Sequence, residues 1–182
     1  MNLSGYILHR LLGWTADDTL PHRDKCIICV APHTSNWDFF IGQLYYRSIG
    51  RRAGFLMKKE WFFWPLSMLF RSLGGIPINR GHKSCMTDAL AHQAQEATHF
   101  SLAITPEGTR KLAPRWKHGF YYIALKAGIP IQCYALDFQQ KRIIGKLEIQ
   151  PTGDAETDLK IIMDYYRPIQ GRHPSQFAVE EI

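Results

Sequence analysis

The sequence lacks a hydrophobic run long enough to cross a membrane. A spanning helix needs about 20 consecutive apolar residues, whereas the most apolar stretch, WFFWPLSMLF at 61–70, is shorter and contains Pro65. The N-terminal stretch MNLSGYILHRLLGW has neither a cationic start nor a small-residue cleavage site, so a signal peptide is not predicted. Its apolar residues recur at near-helical spacing. This spacing is typical of a helix packed on the core and equally of an amphipathic helix lying on a membrane surface.

Runs of basic residues are also absent, although basic residues are in excess. Lys and Arg number 22 against 16 Asp and Glu, which gives a formal net charge of +6. This excess favours anionic partners such as phosphate groups, acidic carrier proteins or anionic lipids. Because the cations are scattered along the chain, a nucleic-acid-binding surface is not predicted.

Cysteine is scarce, with four residues in the chain. Cys26 and Cys29 form a CxxC, but no second CxxC or histidine pair follows, which argues against a metal site. The CxxC lies in the apolar run KCIICVA, which predicts a strand, so the two thiols point to opposite faces of a sheet. We therefore expect buried, reduced cysteines and a cytosolic protein.

What the sequence does contain is a regular alternation of strand-like and helix-like segments, without repeats or an interdomain linker. Strands are predicted at 25–31, 53–58, 75–79, 100–106, 129–138 and 142–151, and helices at 35–50, 60–74, 84–99, 115–128 and 154–167. This alternation predicts a single α/β domain, with a mixed, mostly parallel sheet flanked by helices on both faces. The short QQKR turn between the last two strands predicts that they pair antiparallel.

The domain is expected to span residues 1–182. Residues 25–151 would form the core, and residues 152–182 a C-terminal helix and tail. Residues 1–24 would form the segment that can lie on a membrane surface.

Polar segments follow three of the predicted strands, where an open α/β sheet binds its ligands. In the first of them, HTSNWD, His33 precedes Asp38 by five residues, and Ser35 or Asn36 can cap the following helix. The helix N-terminus favours an ionised Asp38, which can accept a hydrogen bond from one ring nitrogen of His33. The other nitrogen is then free to act as a base. A residue in the first helical turn is not expected to belong to the core, and a simple helix cap beside a satisfied histidine is the alternative interpretation.

The other segments supply cations beside apolar stretches. In TPEGTR, Gly108 permits a tight turn, and Arg110 offers donors that suit a phosphate group. Arg80 lies in another loop, and Lys58 and Lys59 immediately precede the aromatic run. This combination suits a molecule with a phosphate head and an apolar tail.

Taken together and in order, these segments resemble the motif blocks of the glycerolipid acyltransferases, which include the lysophosphatidic acid acyltransferases. HTSNWD resembles the H-x4-D block, KKEWFFWP the basic block, GGIPINR the G-x-x-x-x-R block and PEGTR the E-G-T-R block. AGIPIQCYAL resembles the proline-centred block. The resemblance extends over about residues 25–150.

The resemblance implies transfer of a fatty acyl group from acyl-CoA or acyl-carrier protein to the hydroxyl of a lyso-lipid such as 1-acylglycerol-3-phosphate. It makes His33 the general base and Asp38 its partner, with direct attack on the thioester and neither a metal nor a cofactor. It assigns substrate binding to Lys58, Lys59, Arg80, Glu107, Gly108, Thr109 and Arg110. It also implies a peripheral position on the inner face of the cell membrane, with attachment through residues 1–14, the WFFWPLSMLF segment or both.

Two other functions remain open on the residues alone. An acyl ester or thioester hydrolase would need a nucleophile such as Ser35, or a water placed by His33, and no G-x-S-x-G motif is present. A protein that only binds anionic membranes would not need His33, Asp38 and Glu107 together. Trp116 and Lys117, which follow PEGTR closely, fit either a site lining or the solvated start of a helix.

Overall fold

The computed structural model describes residues 2–78 and 83–179, which form a seven-stranded sheet covered by helices. The strands are β1 (Thr15–Asp18), β2 (Lys25–Ala31), β3 (Gly54–Lys58), β4 (Gly75–Ile78), β5 (Phe100–Ile104), β6 (Ile131–Asp137) and β7 (Arg142–Ile149). The helices are α1 (Leu3–Gly5, continued by a π-helical segment Tyr6–Leu11), α2 (Asn36–Ser48), α3 (Leu66–Ser72), α4 (Lys83–Glu96), α5 (Gly119–Ala127) and α6 (Ala155–Tyr166).

The order of strands across the sheet is β1-β7-β6-β2-β5-β3-β4. Neighbouring strands are parallel except β6 and β7, which pair antiparallel as their short connection predicted. Strand β1 was not predicted, because its sequence TADD is short and polar and carries no alternating apolar pattern. It is an edge strand that pairs with β7 in parallel.

Side chains of the central strand β2 alternate between two hydrophobic layers. Cys26 and Ile28 pack with α2 and the N-terminal segment, whereas Ile27 and Cys29 pack with α4, α5 and α6. The described cysteines, Cys26, Cys29 and Cys133, are buried and free, which confirms the prediction for the CxxC pair. Burial raises the pKa of Cys26 to about 11, so this thiol stays protonated. The single α/β domain with helices on both faces of a mixed sheet is confirmed.

The predicted helix at 60–74 is wrong over its first half. Lys59–Trp61 form a short 3-10 turn, and α3 begins only at Leu66. Pro65 explains the difference, because it cannot donate a backbone hydrogen bond and it disfavours helical backbone at the residue before it.

The predicted helix at 115–128 also begins later than expected, at Gly119. The loop from 105 to 118 instead folds back on itself, and the Lys117 N–H donates to the carbonyl of Pro106 over 2.7 Å. This loop supplies Gly108 and Lys117 to the lining of a cavity.

The N-terminal segment is a helix packed on the core. Leu8 has no exposed surface, and Trp14 is buried against Phe138 with a centroid distance of 4.9 Å. Leu3, Tyr6 and Leu11 remain exposed on the outer side. Among the described residues, no helix combines the length and the hydrophobicity that crossing a membrane requires.

Candidate active site

Loops after β2, β3 and β5 lie at one edge of the sheet, because these strands are parallel. His33 follows β2, Lys59 follows β3, and Glu107 follows β5. We call this edge the catalytic edge.

His33 and Asp38 form the hydrogen-bonded pair that their spacing predicted. Nδ1 of His33 lies 3.1 Å from Oδ2 of Asp38. The His33 side chain is 21% exposed and lines a cavity, and its Nε2 makes no hydrogen bond within residues 2–78 and 83–179. With Nδ1 donating to the carboxylate, Nε2 is the unprotonated nitrogen and can take a proton from a ligand in the cavity.

Asp38 also caps helix α2, through a capping box with Ser35. Its Oδ2 accepts the backbone N–H groups of Thr34 at 2.7 Å and Ser35 at 2.8 Å, and its Oδ1 accepts the Ser35 hydroxyl at 3.0 Å. The residue is only 3% exposed. The expectation that a first-turn residue lies outside the core is therefore wrong, because the loop folds its polar groups inward around this carboxylate.

Glu107 joins the E-G-T-R block to the H-x4-D block. It is 1% exposed, and its Oε1 accepts the backbone N–H of His33 at 2.7 Å. Burial raises the pKa of Glu107 to about 7, opposed by the hydrogen bond from His33. Oε2 is buried without a hydrogen-bond partner in the described part of the chain. This geometry gives Glu107 a role in holding the His33 loop, which the motif alone did not predict.

Gly108 allows the loop to turn beneath a lysine. Its φ of 63° lies in the left-handed region, and a Cβ at this position would come within 2.9 Å of Cδ of Lys117. The Lys117 side chain therefore lies across Gly108, and it lines the same cavity as His33. Of the two interpretations of Lys117, the structure supports a site lining.

Arg110 and Thr109 are exposed at the same edge. Nη1 of Arg110 donates to Oδ1 of Asn36, the first residue of α2, so the E-G-T-R loop contacts the H-x4-D loop a second time. The Thr109 hydroxyl accepts the Lys111 N–H at 3.3 Å.

The structure gives less detail on the other cationic residues that were predicted to bind substrate. Lys58 is the last residue of β3, and Lys59 is exposed in the turn that follows. Arg80 lies outside the described residues. The structure therefore brings together His33, Asp38, Glu107, Gly108 and Arg110, with Lys59 at the same edge.

A cavity of about 400 Å³ opens beside His33. Strand β3 pairs with β5 over only two residues, Gly54 and Phe55, although it continues to Lys58 alongside β4. The cavity consequently has walls from both sides of the sheet. Its mainly apolar lining includes Ile28, Val30, Phe39, Phe55, Leu56, Ala103, Ile104, Phe120, Ile123 and Leu136.

Tyrosines line the part of this cavity that faces β6 and β7. The hydroxyls of Tyr45 and Tyr134 both donate to Oδ2 of Asp18, the latter over 3.1 Å. Burial raises the pKa of both hydroxyls, so they stay protonated as donors. Tyr46 completes this wall and also lines a separate surface cleft at the opposite edge of the sheet. Sequence reasoning missed this group, since no local pattern links β1 to α2 and β6.

Two other residues from the sequence analysis have structural roles. The Trp116 indole is buried, donates to the Ala178 carbonyl at 3.1 Å and packs against Tyr166, so it belongs to the core. The Ser35 hydroxyl donates to Asp38 and accepts the Trp37 N–H at 3.1 Å. Because both bonds hold the hydroxyl in the helix cap, Ser35 is not placed as a nucleophile. Within the described ranges, no cluster of three or more His, Cys, Asp or Glu side chains could hold a metal ion.

Comparisons with known proteins bear on the fold and on the family of this chain. The fold is similar to that of the 1-acyl-sn-glycerophosphate (LPA) acyltransferase PlsC from Thermotoga maritima, with a TM-score of 0.61 and 17% sequence identity. The match covers 91% of this chain and 74% of that one. No curated protein sequence matches the chain. The model of the Acyltransferase family matches residues 15–137, well over half of the chain, so the protein belongs to the Acyltransferase family.

Proposed function

We propose that this acyltransferase moves a fatty acyl group from a thioester, acyl-CoA or acyl-carrier protein, to the hydroxyl of a lyso-lipid such as 1-acylglycerol-3-phosphate. The observation that carries the proposal is the His33–Asp38 pair at the mouth of a deep, mostly apolar cavity. The pair provides a base, and the cavity provides room for an acyl chain. Family membership supports the reaction type.

In the proposed step, Nε2 of His33 takes the proton of the acceptor hydroxyl as its oxygen attacks the thioester carbonyl carbon. Asp38 holds the imidazole in the required tautomer and stabilises the imidazolium that forms. The tetrahedral intermediate then collapses, the C–S bond breaks, and the leaving thiolate takes the proton from His33. The products are an ester and a free thiol, and the residues of the protein are regenerated.

The tetrahedral intermediate carries a negative charge that needs a donor close to His33. Lys117 supplies a cation on the cavity wall, held against Gly108. We assign the oxyanion to Lys117 and the phosphate of the acceptor to Arg110, which is exposed and has a planar fork of donors. Lys59 offers a further anion contact at the same edge.

The acyl chain of the donor would lie in the cavity, with its methyl end towards Tyr45, Tyr46 and Tyr134. Burying each methylene there contributes about 0.8 kcal/mol. This gain is available to any donor whose chain fits, so the cavity would select chain length rather than the thiol carrier.

A direct assay tests the proposal. Purified protein is incubated with palmitoyl-CoA and a panel of lyso-lipid acceptors in detergent, and the ester product is measured. The variant His33→Ala should lose roughly 10²–10⁴-fold in turnover. The variant His99→Ala is the matched control, because His99 is an exposed histidine paired with Asp24 away from the cavity.

Three results would contradict the proposal in distinguishable ways. Release of free fatty acid without ester product, dependent on His33, would indicate a hydrolase that uses water. Absence of turnover with every acceptor and donor, in a folded protein that still binds vesicles, would indicate a membrane-binding protein without activity. Equal turnover in wild type and His33→Ala would remove the general-base role.

A further inference from the structure

The segment between β3 and α3, together with α3 itself, exposes large apolar side chains next to the catalytic edge. Trp64 is 80% exposed and Met68 68% exposed. We call the exposed group the aromatic patch; its members are Trp61, Phe63, Trp64, Met68 and Leu69. Single exposed apolar residues are ordinary, but a contiguous group along one segment marks an interaction surface in a soluble protein.

The patch is exposed because other apolar side chains of the same segment fill its packed inner side. Phe62 and Phe70, from the same stretch, turn inward and contact each other with a centroid distance of 6.0 Å. Arg71 lies over the Phe62 ring at 5.8 Å. A Cβ at Gly75 would meet the Phe70 carbonyl at 2.8 Å, so α3 packs tightly against the start of β4. The inner side of the segment is therefore packed, and its outer side presents the patch.

Positive charge accompanies the patch. Among described residues 59–65 and 105–118, the exposed charged residues are Lys59, Arg110, Lys111, Arg115 and Lys117, with Glu60 as the exposed carboxylate. Glu107, the other acidic residue of these loops, is buried. Both loops follow parallel strands that end at the catalytic edge, so aromatic and cationic side chains share the edge with the cavity mouth.

We propose that the aromatic patch docks the protein on an anionic phospholipid bilayer, with the catalytic edge facing the lipid. Tryptophan and phenylalanine favour the boundary between headgroups and acyl chains, and nearby lysine and arginine side chains are attracted to anionic headgroups. Binding to the bilayer does not depend on the proposed reaction. Its use for delivering a lipid acceptor to His33 rests on the proposed function.

The N-terminal segment is the other surface that the sequence offered for this contact. Its apolar residues are divided, since Leu8 and Trp14 are in the core while Leu3, Tyr6 and Leu11 are exposed. The Asn2 side chain donates to the carbonyls of Arg47 and Ser48. These bonds hold the start of α1 against the C-terminal end of α2, which is the end distant from the catalytic edge. The other end of the segment lies beside the β6–β7 turn at the catalytic edge, where Lys141 donates to the carbonyl of Leu12. Leu3 and Leu11 therefore lie near opposite edges of the sheet, and the segment offers no contiguous exposed apolar group comparable with the aromatic patch.

Vesicle sedimentation tests the proposal with the full chain. The wild type should bind vesicles that contain phosphatidylglycerol, and it should bind pure phosphatidylcholine vesicles more weakly. The double variant Phe63→Ser/Trp64→Ser should bind the anionic vesicles at least about tenfold more weakly, because each large apolar side chain withdrawn from water contributes about a factor of ten or more. Turnover with detergent-dispersed substrates should be unchanged in this variant, since neither residue contacts the cavity.

Matched controls distinguish the aromatic patch from the remaining exposed apolar side chains of the molecule. Ile161→Ser removes an exposed apolar residue of α6 and should leave vesicle binding unchanged. Leu3→Ser/Leu11→Ser tests the N-terminal segment. Loss of binding in that variant rather than in Phe63→Ser/Trp64→Ser would overturn the proposal, as would failure of the wild type to bind anionic vesicles.

A second copy of the chain is the competing occupant of the patch. Sedimentation equilibrium without lipid should show a monomer. A stable dimer that dissociates in Phe63→Ser/Trp64→Ser would assign the patch to self-association and overturn the bilayer proposal. Because vesicle binding and acyl transfer are measured separately, failure of one does not imply failure of the other.

Discussion

The carboxylate of Asp38 holds both a histidine ring and the start of a helix. It orients the His33 ring, and it also closes the first turn of α2 by accepting the N–H groups of Thr34 and Ser35. The helix start thus fixes the carboxylate, and the carboxylate fixes the histidine. Such a base needs no flexible partner, because its orienting acid is part of the backbone framework.

This double role predicts that Asp38→Ala loses both activity and stability. Turnover should fall about 10²-fold or more. Removing the cap and leaving two buried N–H groups unpaired should cost about 2–4 kcal/mol, or roughly 5–15 °C in melting temperature. Thermal unfolding and steady-state kinetics on the same preparation measure the two effects.

The control for Asp38 is Asp154→Ala, which removes the exposed N-cap of α6. It should lower the melting temperature by only roughly 2–4 °C and leave turnover unchanged. An Asp38→Ala variant with wild-type melting temperature and low turnover would show that the capping bonds contribute little.

The raised pKa of Glu107 predicts that the stability of the folded protein depends on pH. Its pKa is raised to about 7 in the folded chain, from the ordinary glutamate value near 4.5. The folded state therefore binds more protons than the unfolded state between these values, and this contribution to stability is lost as pH rises from about 4.5 through 7. Glu107→Gln keeps an oxygen for the His33 N–H but does not titrate, so its stability should fall less over this range.

The measurement is the melting temperature of wild type and Glu107→Gln from pH 4.5 to 8. The difference between the two curves isolates Glu107 from the other carboxylates. Parallel curves would show that Glu107 titrates normally. Glu107→Ala, which lacks the oxygen, should also lower turnover because the His33 loop loses an anchor.

Motif spacing was sufficient to predict the His33–Asp38 bond and the meeting of the H-x4-D and E-G-T-R loops. It was insufficient for the role of Glu107, whose partner is a backbone N–H 74 residues away. A backbone group leaves no signature in the sequence. Burial of Asp38 was missed for a related reason, since the packing of loop 32–37 depends on contacts such as Gly171 against Thr34 from the distant C-terminal region.

At the scale of strands and helices, the cavity exists because β3 leaves β5 after Phe55. Each strand that lines it was predicted from its apolar run, but the divergence of two paired strands depends on the connections and helices around them. The prediction of the fold was successful where local patterning dominates, as in β2 and β6. It failed for β1, a polar edge strand, and before Pro65, where Trp61, Phe63 and Trp64 are exposed instead of forming the buried face of a helix.

The position of Tyr46 predicts which acyl chain length the cavity prefers. Tyr46 is on α2 and separates the cavity from the surface cleft at the opposite edge. Replacing it with the smaller leucine should deepen the cavity and move the preferred donor to a longer chain. The measurement is the relative kcat/KM for lauroyl-, myristoyl-, palmitoyl- and stearoyl-CoA.

Tyr122→Leu is the matched control for Tyr46→Leu, because Tyr122 is an exposed tyrosine of α5 that does not line the cavity. It should leave the chain-length profile unchanged. An unchanged profile in Tyr46→Leu, in a folded and active enzyme, would place the end of the acyl chain elsewhere.

Over the whole molecule, charge is distributed unevenly with respect to the site. The net charge is +6, and the acidic residues that hold His33 and its loop, Asp38 and Glu107, are buried and hydrogen-bonded. The loops at the catalytic edge, 59–65 and 105–118, expose Lys59, Arg110, Lys111, Arg115 and Lys117 against a single exposed carboxylate, that of Glu60. A potential of this sign attracts the phosphates of CoA and the surface of an acidic carrier protein before any contact forms.

This distribution predicts that kcat/KM for palmitoyl-CoA falls several-fold as ionic strength rises from about 0.01 to 0.15 M, since the screening length shrinks from roughly 30 to 8 Å. The uncharged donor S-palmitoyl-N-acetylcysteamine should show no such fall. Lys111→Ser/Arg115→Ser should flatten the dependence for palmitoyl-CoA, because both side chains are exposed beside the mouth and line no part of the cavity. Equal salt dependence for the charged and uncharged donors would show that salt acts on the protein or the lipid acceptor and not on electrostatic attraction of the donor. The exposed cations of the catalytic edge would then have a role only in membrane docking.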